Sequence, residues 1–256
     1  MKQVTVAIIG RPSSGKSTFV NTITENKVSI VSSVPQSTLS MVKGIYENSG
    51  MRFVFLDTPG LYDSDASFNK LLRKQSLNAI RECDCLLYVI DGKDKIKTEE
   101  EKVAFYARTS NKPIVILINK SDILGDEDVK RAKGFISKTL PGIDRIFIGS
   151  AKEDIGLDDV LKALSQYGKD AQIDPDGKSD SESSTADEFN DPITFTEASV
   201  EFRISEIIRE AAFRNLMEEI PHAVCVICDD ISESGGNVVI RATLYCEKES
   251  QKGIII

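Results

Sequence analysis

The sequence has no tryptophan, one histidine, an odd number of cysteines and only 7% aromatic residues. It also lacks any long hydrophobic run. The most apolar stretches, Ile114 to Ile118 and Val4 to Ile9, fall far short of the roughly 20 residues that cross a bilayer as a helix. Met1-Lys2-Gln3 runs straight into a strand pattern, so neither a signal peptide nor a transmembrane helix is expected. Cys83, Cys85, Cys225, Cys228 and Cys246 are too few to staple 256 residues, which excludes a disulfide framework and suits a reducing cytosol. With 41% apolar residues the composition is that of an ordinary globular chain, excluding collagen, coiled coil and general disorder. The length fits two modest domains.

The net charge is −8, but it is not spread evenly. Asp174 to Asp191 holds seven acids and one lysine, a net −6 that leaves only −2 for the rest of the chain. The acidity therefore carries little weight against a nucleic-acid partner. This Ser-, Asp- and Pro-containing stretch buries too little apolar surface to fix its backbone and is expected to be mobile. It divides the chain into residues 1–170, a linker over 171–195, and residues 196–256.

Before the linker, short β-branched runs alternate with helical ones, the pattern of an α/β layer fold. Six strands are expected near Val4 to Ile9, Val42 to Glu47, Arg52 to Leu56, Leu86 to Ile90, Ile114 to Ile118 and Arg145 to Ile148. Helices fit Lys16 to Thr24, Ser67 to Arg81, Thr98 to Ser110, Asp126 to Leu140 and Leu157 to Tyr167, with Thr98 and Asp126 as caps. Asn48-Ser49-Gly50 reads as a hairpin turn, making the second and third strands antiparallel in a mostly parallel sheet.

Gly10, Arg11, Pro12, Ser13, Ser14, Gly15, Lys16, Ser17 and Thr18 follow a buried strand and open a helix, the context that a P-loop requires. Glycines let the backbone amides turn toward an anion and the helix start adds its positive end. Lys16 would reach the β- and γ-phosphates of a nucleoside triphosphate, and the Ser17 hydroxyl would bind Mg²⁺. Arg11 reads as solvent-facing. Asp57, Thr58, Pro59 and Gly60 end an apolar strand, where Asp57 could hold Mg²⁺ through water and the Gly60 amide could meet the γ-phosphate.

Asn119, Lys120, Ser121 and Asp122 address the base. A carboxylate only accepts hydrogen bonds, so Asp122 can receive guanine N1–H and the exocyclic amine, which adenine cannot offer. GTP is selected over ATP, because unmatched buried polar groups penalise the wrong base. Asn119 and the Lys120 stem would frame the ring. Gly149 with Ser150, Ala151 and Lys152 fits the loop whose amides approach the guanine oxygen.

These elements, in this order, make the first 170 residues similar to the translation-factor class of P-loop GTPases, and the whole chain outside the linker resembles the Era family. Downstream the resemblance rests on Ser205 to Glu210, Glu219-Ile220-Pro221-His222, and Glu249 to Ile256. It implies a Ras-like GTPase domain with a six-stranded, mostly parallel sheet, followed by the first part of a type II KH domain, an α+β RNA-binding module. Thr38, after Gln36 and Ser37, matches the threonine of the first switch loop that closes on Mg²⁺ and the γ-phosphate; Lys16, Thr38 and Gly60 would be the catalytic set. The partners implied are small-subunit rRNA near its 3′ end and the small ribosomal subunit. The same resemblance implies a cytoplasmic monomer with peripheral contact at the inner membrane.

Three departures stand out. Leu61 follows Gly60 where Ras-like enzymes carry a water-orienting glutamine; the family shares this, so hydrolysis should be slow and rely on backbone amides and Mg²⁺. Ser13 stands where potassium-activated relatives carry asparagine, which weakens the case for a potassium site. The family's RNA-clamping Gly-X-X-Gly loop would follow beyond Ile256, so an uncovered apolar face is expected on the helix with Val200, Ile204, Ile207, Ile208, Ala211, Ala212 and Leu216 and on strands near Ala223 to Asp229 and Val238 to Cys246. An alternative follows, a nucleotide-gated module whose C-terminal half binds a protein and no RNA. Arg203, Arg209 and Arg214 either touch RNA phosphates or form a solvated helix face. Cys225 and Cys228, three apart in a strand, point to opposite faces and read as buried thiols rather than zinc ligands. His222 lies near no nucleophile and receives no role.

Overall fold

The computed structural model describes residues 1–26, 28, 42–59, 67–170, 196, 198–216, 224–246 and 252–253. Gln36, Ser37, Thr38, Gly60, Leu61, the acidic linker and His222 lie outside the described residues. The elements run β1 (Lys2–Ile9), α1 (Lys16–Thr24), β2 (Val42–Asn48), β3 (Met51–Asp57), α2 (Ser67–Glu82), β4 (Cys85–Asp91), α3 (Thr98–Thr109), β5 (Ile114–Asn119), α4 (Asp126–Thr139), β6 (Ile146–Ile148), α5 (Leu157–Ser165), β7 (Lys169–Asp170), α6 (Val200–Asn215), β8 (Val224–Ser234) and β9 (Asn237–Cys246). The first sheet is ordered β2-β3-β1-β4-β5-β6, and all its pairs except β2–β3 are parallel along this path.

The near-continuous apolar strands have a simple cause: helices cover both sides of the sheet, so both faces of every central strand are buried. In β1 the period-2 alternation sends Val4, Val6 and Ile8 to one core layer with Phe19, Val20, Val160 and Leu164, while Ala7 and Ile9 join the opposite layer with Ile80, Val103 and Ile136. The β2–β3 hairpin is antiparallel as expected, with Ser49 and Gly50 both at positive φ, 49° and 79°. Two such residues match the strands' right-handed twist.

Several boundaries differ from expectation. Neither Thr98 nor Asp126 is a cap; each is the first helical residue, behind Lys97 and Gly125. At α4 the cap is made from inside the helix, where Asp128 Oδ2 accepts from Gly125 N at 3.1 Å, and with Lys93 and Arg131 this holds the Asp128 carboxyl at about 2. α5 stops at Ser165 because Tyr167 N and Gly168 N close tighter turns onto Leu164 O and Ser165 O. The two-residue β7, antiparallel to Lys2 and Gln3, was not foreseen; it is polar and too short to show alternation.

Beyond the linker, β8 and β9 form a hairpin closed by Gly235 and Gly236, both at positive φ, with an irregularity between Cys228 and Asp230. The apolar stripe of α6 is left partly uncovered, as expected. Val200 and Ile207 are 56% and 50% exposed, while Ser205, Arg209 and Glu210 are buried. The reason lies in the partner strand: Ser205 Oγ accepts from Cys228 N at 2.8 Å, which turns the Ser205 side toward β8. Arg209 is carried inward with its countercharge, its Nε and Nη2 donating to the two Glu206 carboxylate oxygens at 2.7 and 2.8 Å. Arg209 is therefore not available to RNA phosphates. Val238, Val239, Ile240 and Tyr245 are exposed on the hairpin, and Cys225 is exposed rather than buried.

Candidate functional site

The site gathers at the carboxyl ends of β1, β3, β4, β5 and β6, where an open parallel sheet leaves its loops facing a ligand. Two glycines of the first loop have no substitute. A Cβ on Gly10 would stand 2.4 Å from Val89 O, and one on Gly15, whose φ is +101°, would stand 2.1 Å from Asn119 Nδ2. Ser13 also takes a positive φ, 60°. Such a backbone holds the amides of Ser13 to Lys16 in a turn leading into α1, whose first bond runs from Phe19 N to Gly15 O at 2.9 Å.

Lys16 is buried and folds back on the loop, its Nζ donating to Arg11 O at 2.9 Å and Gly10 O at 3.2 Å. Burial pushes its ammonium down to about 8, against the pull of Asp57 and Glu100. Asp57 is itself fully buried and stands opposite Ile8 in the β1–β3 register, beside the start of the P-loop. Thr58 Oγ1 donates to Ile8 O at 2.7 Å and pins that strand end; Ser76 of α2 does the same for Pro59 O at 2.8 Å. A buried carboxylate and the Ser17 hydroxyl at the helix start are hard oxygen donors of the kind Mg²⁺ takes, so these residues fit that ion.

Asn119 stands between loops. Its Nδ2 donates to Ser14 O at 2.8 Å and its Oδ1 accepts from Ala151 N at 2.8 Å. Thr22 Oγ1 of α1 then donates to Ala151 O at 2.6 Å. The P-loop, the end of β5 and the 149–152 loop are thereby one unit. Lys120 has a positive φ, 69°, and its ammonium is held by Asp91 Oδ2 at 2.6 Å. Asp122 sits in a single 3-10 turn, Ser121–Ile123, anchored by Ser121 N to Gly149 O at 3.0 Å. Ser150 Oγ donates to Asp122 Oδ1 at 2.6 Å and holds that carboxyl below the usual carboxylate range. It remains an anion with acceptor positions for a donor pair. Lys152 pairs with Glu153 on the surface.

Arg11 is not solvent-facing. Its side chain is buried, Nε donating to Glu100 Oε2 of α3 and Nη1 and Nη2 to Asp94 Oδ2 at 3.2 Å. Glu100 also accepts from Tyr88 of β4 at 2.6 Å. Glu100, Tyr88, Asp94, Asp91 and Thr22 were not singled out from sequence. A signal for Glu100 existed, since it shares helical spacing with Val103, Ala104 and Ala107 on the buried stripe of α3.

A profile of the family described as 50S ribosome-binding GTPase matches residues 5–120. The GTPase Era of Borrelia garinii subsp. bavariensis is 34% identical over 256 residues, covering all of this chain and 83% of that protein. The GTPase Era of Treponema denticola is 36% identical over 260 residues, with the same coverage. Among solved structures, Aquifex aeolicus Era bound to GDP·AlF4⁻ superposes with a TM-score of 0.87 at 27% identity, over the whole chain and 83% of that one. A structure of Era with MgGDPNP and nucleotides 1506–1542 of 16S ribosomal RNA gives 0.86 at 27% identity, over the whole chain and 82% of that one.

Proposed function

The chain belongs to the Era family of GTPases, and from that premise we propose that it is a switch in small-subunit assembly that binds 16S rRNA near its 3′ end. It binds GTP and hydrolyses it to GDP and phosphate. In this reading residues 1–170 bind the nucleotide and residues 196–256 form part of a type II KH domain that meets the RNA. Lys16, steadied by Arg11 O and Gly10 O, has a further ammonium N–H for the β- and γ-phosphates, and the loop amides of Ser13 to Ser17 take the remaining oxygens. Ser17, Thr38 and Asp57 would hold Mg²⁺, which would supply positive charge against the phosphates. Asp122, kept ionised by Ser150, receives the guanine donors. Water would attack the γ-phosphorus as the bond to the bridging oxygen breaks, GDP leaving and the water's proton ending on the released phosphate; the Gly60 amide would meet the γ-phosphate, and Leu61 offers no base, so turnover is slow.

The observation that carries the reading is the Asn119 clip, which ties the phosphate loop to both base loops. Support for the RNA comes from the related complex with 16S nucleotides. In this reading the protein works as a cytoplasmic monomer that touches the inner membrane only at its surface. No described helix is long and apolar enough to cross a bilayer. The test is a titration of the full chain, loaded with GDPNP or GDP, against a fluorescent 16S 3′-end fragment at one fixed salt concentration. Tighter binding with GDPNP is expected, and no binding in either state overturns the RNA assignment. A protein partner on the hairpin is the second reading, favoured by exposed Val238, Val239 and Tyr245; it predicts a partner-dependent gel-filtration shift that RNA does not produce.

A further inference from the structure

The P-loop of this protein contains a cation whose charge is engaged outside the loop. Arg11 lies between Gly10 and Pro12, yet its guanidinium is directed to Glu100 on α3 and to Asp94 in the loop before that helix. Glu100 has a side chain only 1% exposed, and Arg11 one only 8% exposed. An arginine buried beside a phosphate site with no countercharge would be costly and would be drawn toward the phosphates themselves. Glu100 prevents both. Its other oxygen is held by the hydroxyl of fully buried Tyr88 at 2.6 Å, so the carboxylate is oriented from two sides. The backbone of the same arginine matters to chemistry: Arg11 O is the 2.9 Å acceptor of Lys16 Nζ and also receives Ser14 N at 3.3 Å.

We propose that Glu100 and Tyr88 are positioning residues for nucleotide binding, anchoring the Arg11 side chain to α3 so that the Arg11 backbone keeps the P-loop and Lys16 in register for the phosphates. Neither touches the nucleotide. The inference rests on the assignment of residues 10–18 as the phosphate site, and the nucleotide affinity of the unmodified chain tests that assignment separately.

The experiment uses the full chain with Glu100→Gln, Tyr88→Phe, Arg11→Lys and Arg11→Ala. A fluorescent GDP analogue gives the dissociation rate, steady-state hydrolysis gives KM and kcat for GTP, and thermal unfolding gives stability. Glu100→Gln keeps the shape and removes the charge; it is expected to speed GDP release and raise KM about tenfold while kcat changes less than about threefold, the scale of one lost charge-assisted hydrogen bond. Tyr88→Phe removes one hydroxyl and is expected to move both quantities the same way by about threefold. Arg11→Lys is expected to recover part of what Arg11→Ala loses. Variants that melt earlier but keep the unmodified KM and GDP release rate would show a purely structural pair and overturn the proposal. So would a fall in kcat at constant KM. Should Glu100→Gln fail to fold, Tyr88→Phe and Arg11→Lys decide by the same criteria. Failure of the unmodified chain to bind GDP would instead overturn the phosphate-site assignment.

Discussion

Replacing Asn119 with alanine separates two roles that its motif does not distinguish. If Asn119 only framed the guanine ring, the change would weaken nucleotide binding and leave the nucleotide-free protein intact. The structure makes it a clip: Nδ2 holds Ser14 O and Oδ1 holds Ala151 N, each at 2.8 Å in a buried setting. Asn119→Ala strands one buried carbonyl and one buried amide, each costing about 1–3 kcal/mol. Water entering the vacated space offsets part of this, leaving about 3 kcal/mol. For a domain of this size that corresponds to a fall in Tm of about 6–12 °C. Urea and thermal unfolding of the nucleotide-free chain measure it directly. Asn119→Asp sharpens the test, because a carboxylate still accepts from Ala151 N but faces the Ser14 carbonyl with like partial charge; it should be destabilised to a similar extent. GDP and GTP affinities should fall together, since the γ-phosphate is not involved. Nucleotide-free stability within about 0.5 kcal/mol of the parent, which is the range of an ordinary surface change, would refute the clip.

Asp122→Asn should exchange guanine for xanthine preference, read by competition between GDP and xanthosine diphosphate, and Ser150→Ala should weaken guanine binding without changing that preference, since it removes the 2.6 Å bond that orients Asp122 and a 3.2 Å bond from Glu153 N but leaves the Asp122 carboxylate in place. Gly15→Ala forces a Cβ to within 2.1 Å of Asn119 Nδ2 at a φ of +101° and should abolish tight nucleotide binding, whereas Gly50→Ala, at φ +79° with nothing within 4 Å, should cost only about 1–2 kcal/mol of stability and leave binding alone. Asp128, held at about 2 by Gly125 N and its lysine and arginine neighbours, is a depressed carboxylate, so its contribution at the α4 start is present above its ordinary value and is lost as pH falls through about 2; an NMR titration with a midpoint near 4 would contradict the cap.

The phosphate and base motifs were legible because each is written in a few adjacent residues whose requirements are local. Gly10 and Gly15 answer to backbone shape, Lys16 to reach, Asp122 to a carboxylate's acceptors, and Ser49-Gly50 to a turn that needs two positive φ angles. The alternation and length of the apolar runs likewise determined the α/β class, because a strand covered on both faces must be apolar throughout. What joins these pieces is not local. Asn119 meets Ser14 across 105 positions, Arg11 meets Glu100 across 89, and Thr22 meets Ala151 across 129. In one dimension Glu100 is the middle of an acidic run at a helix start and Arg11 a solvated P-loop residue; only the order β3-β1-β4-β5 brings α3 beneath the phosphate loop and pairs them. α6 makes the same point: helical spacing marks its apolar positions, but Ser205 is the residue that bonds β8, and Arg209 is buried with Glu206 beside it. Local rules select which conformations and chemistries are available, and the burial of charge against a distant partner, whose cost depends on the whole fold, decides which side chains work together.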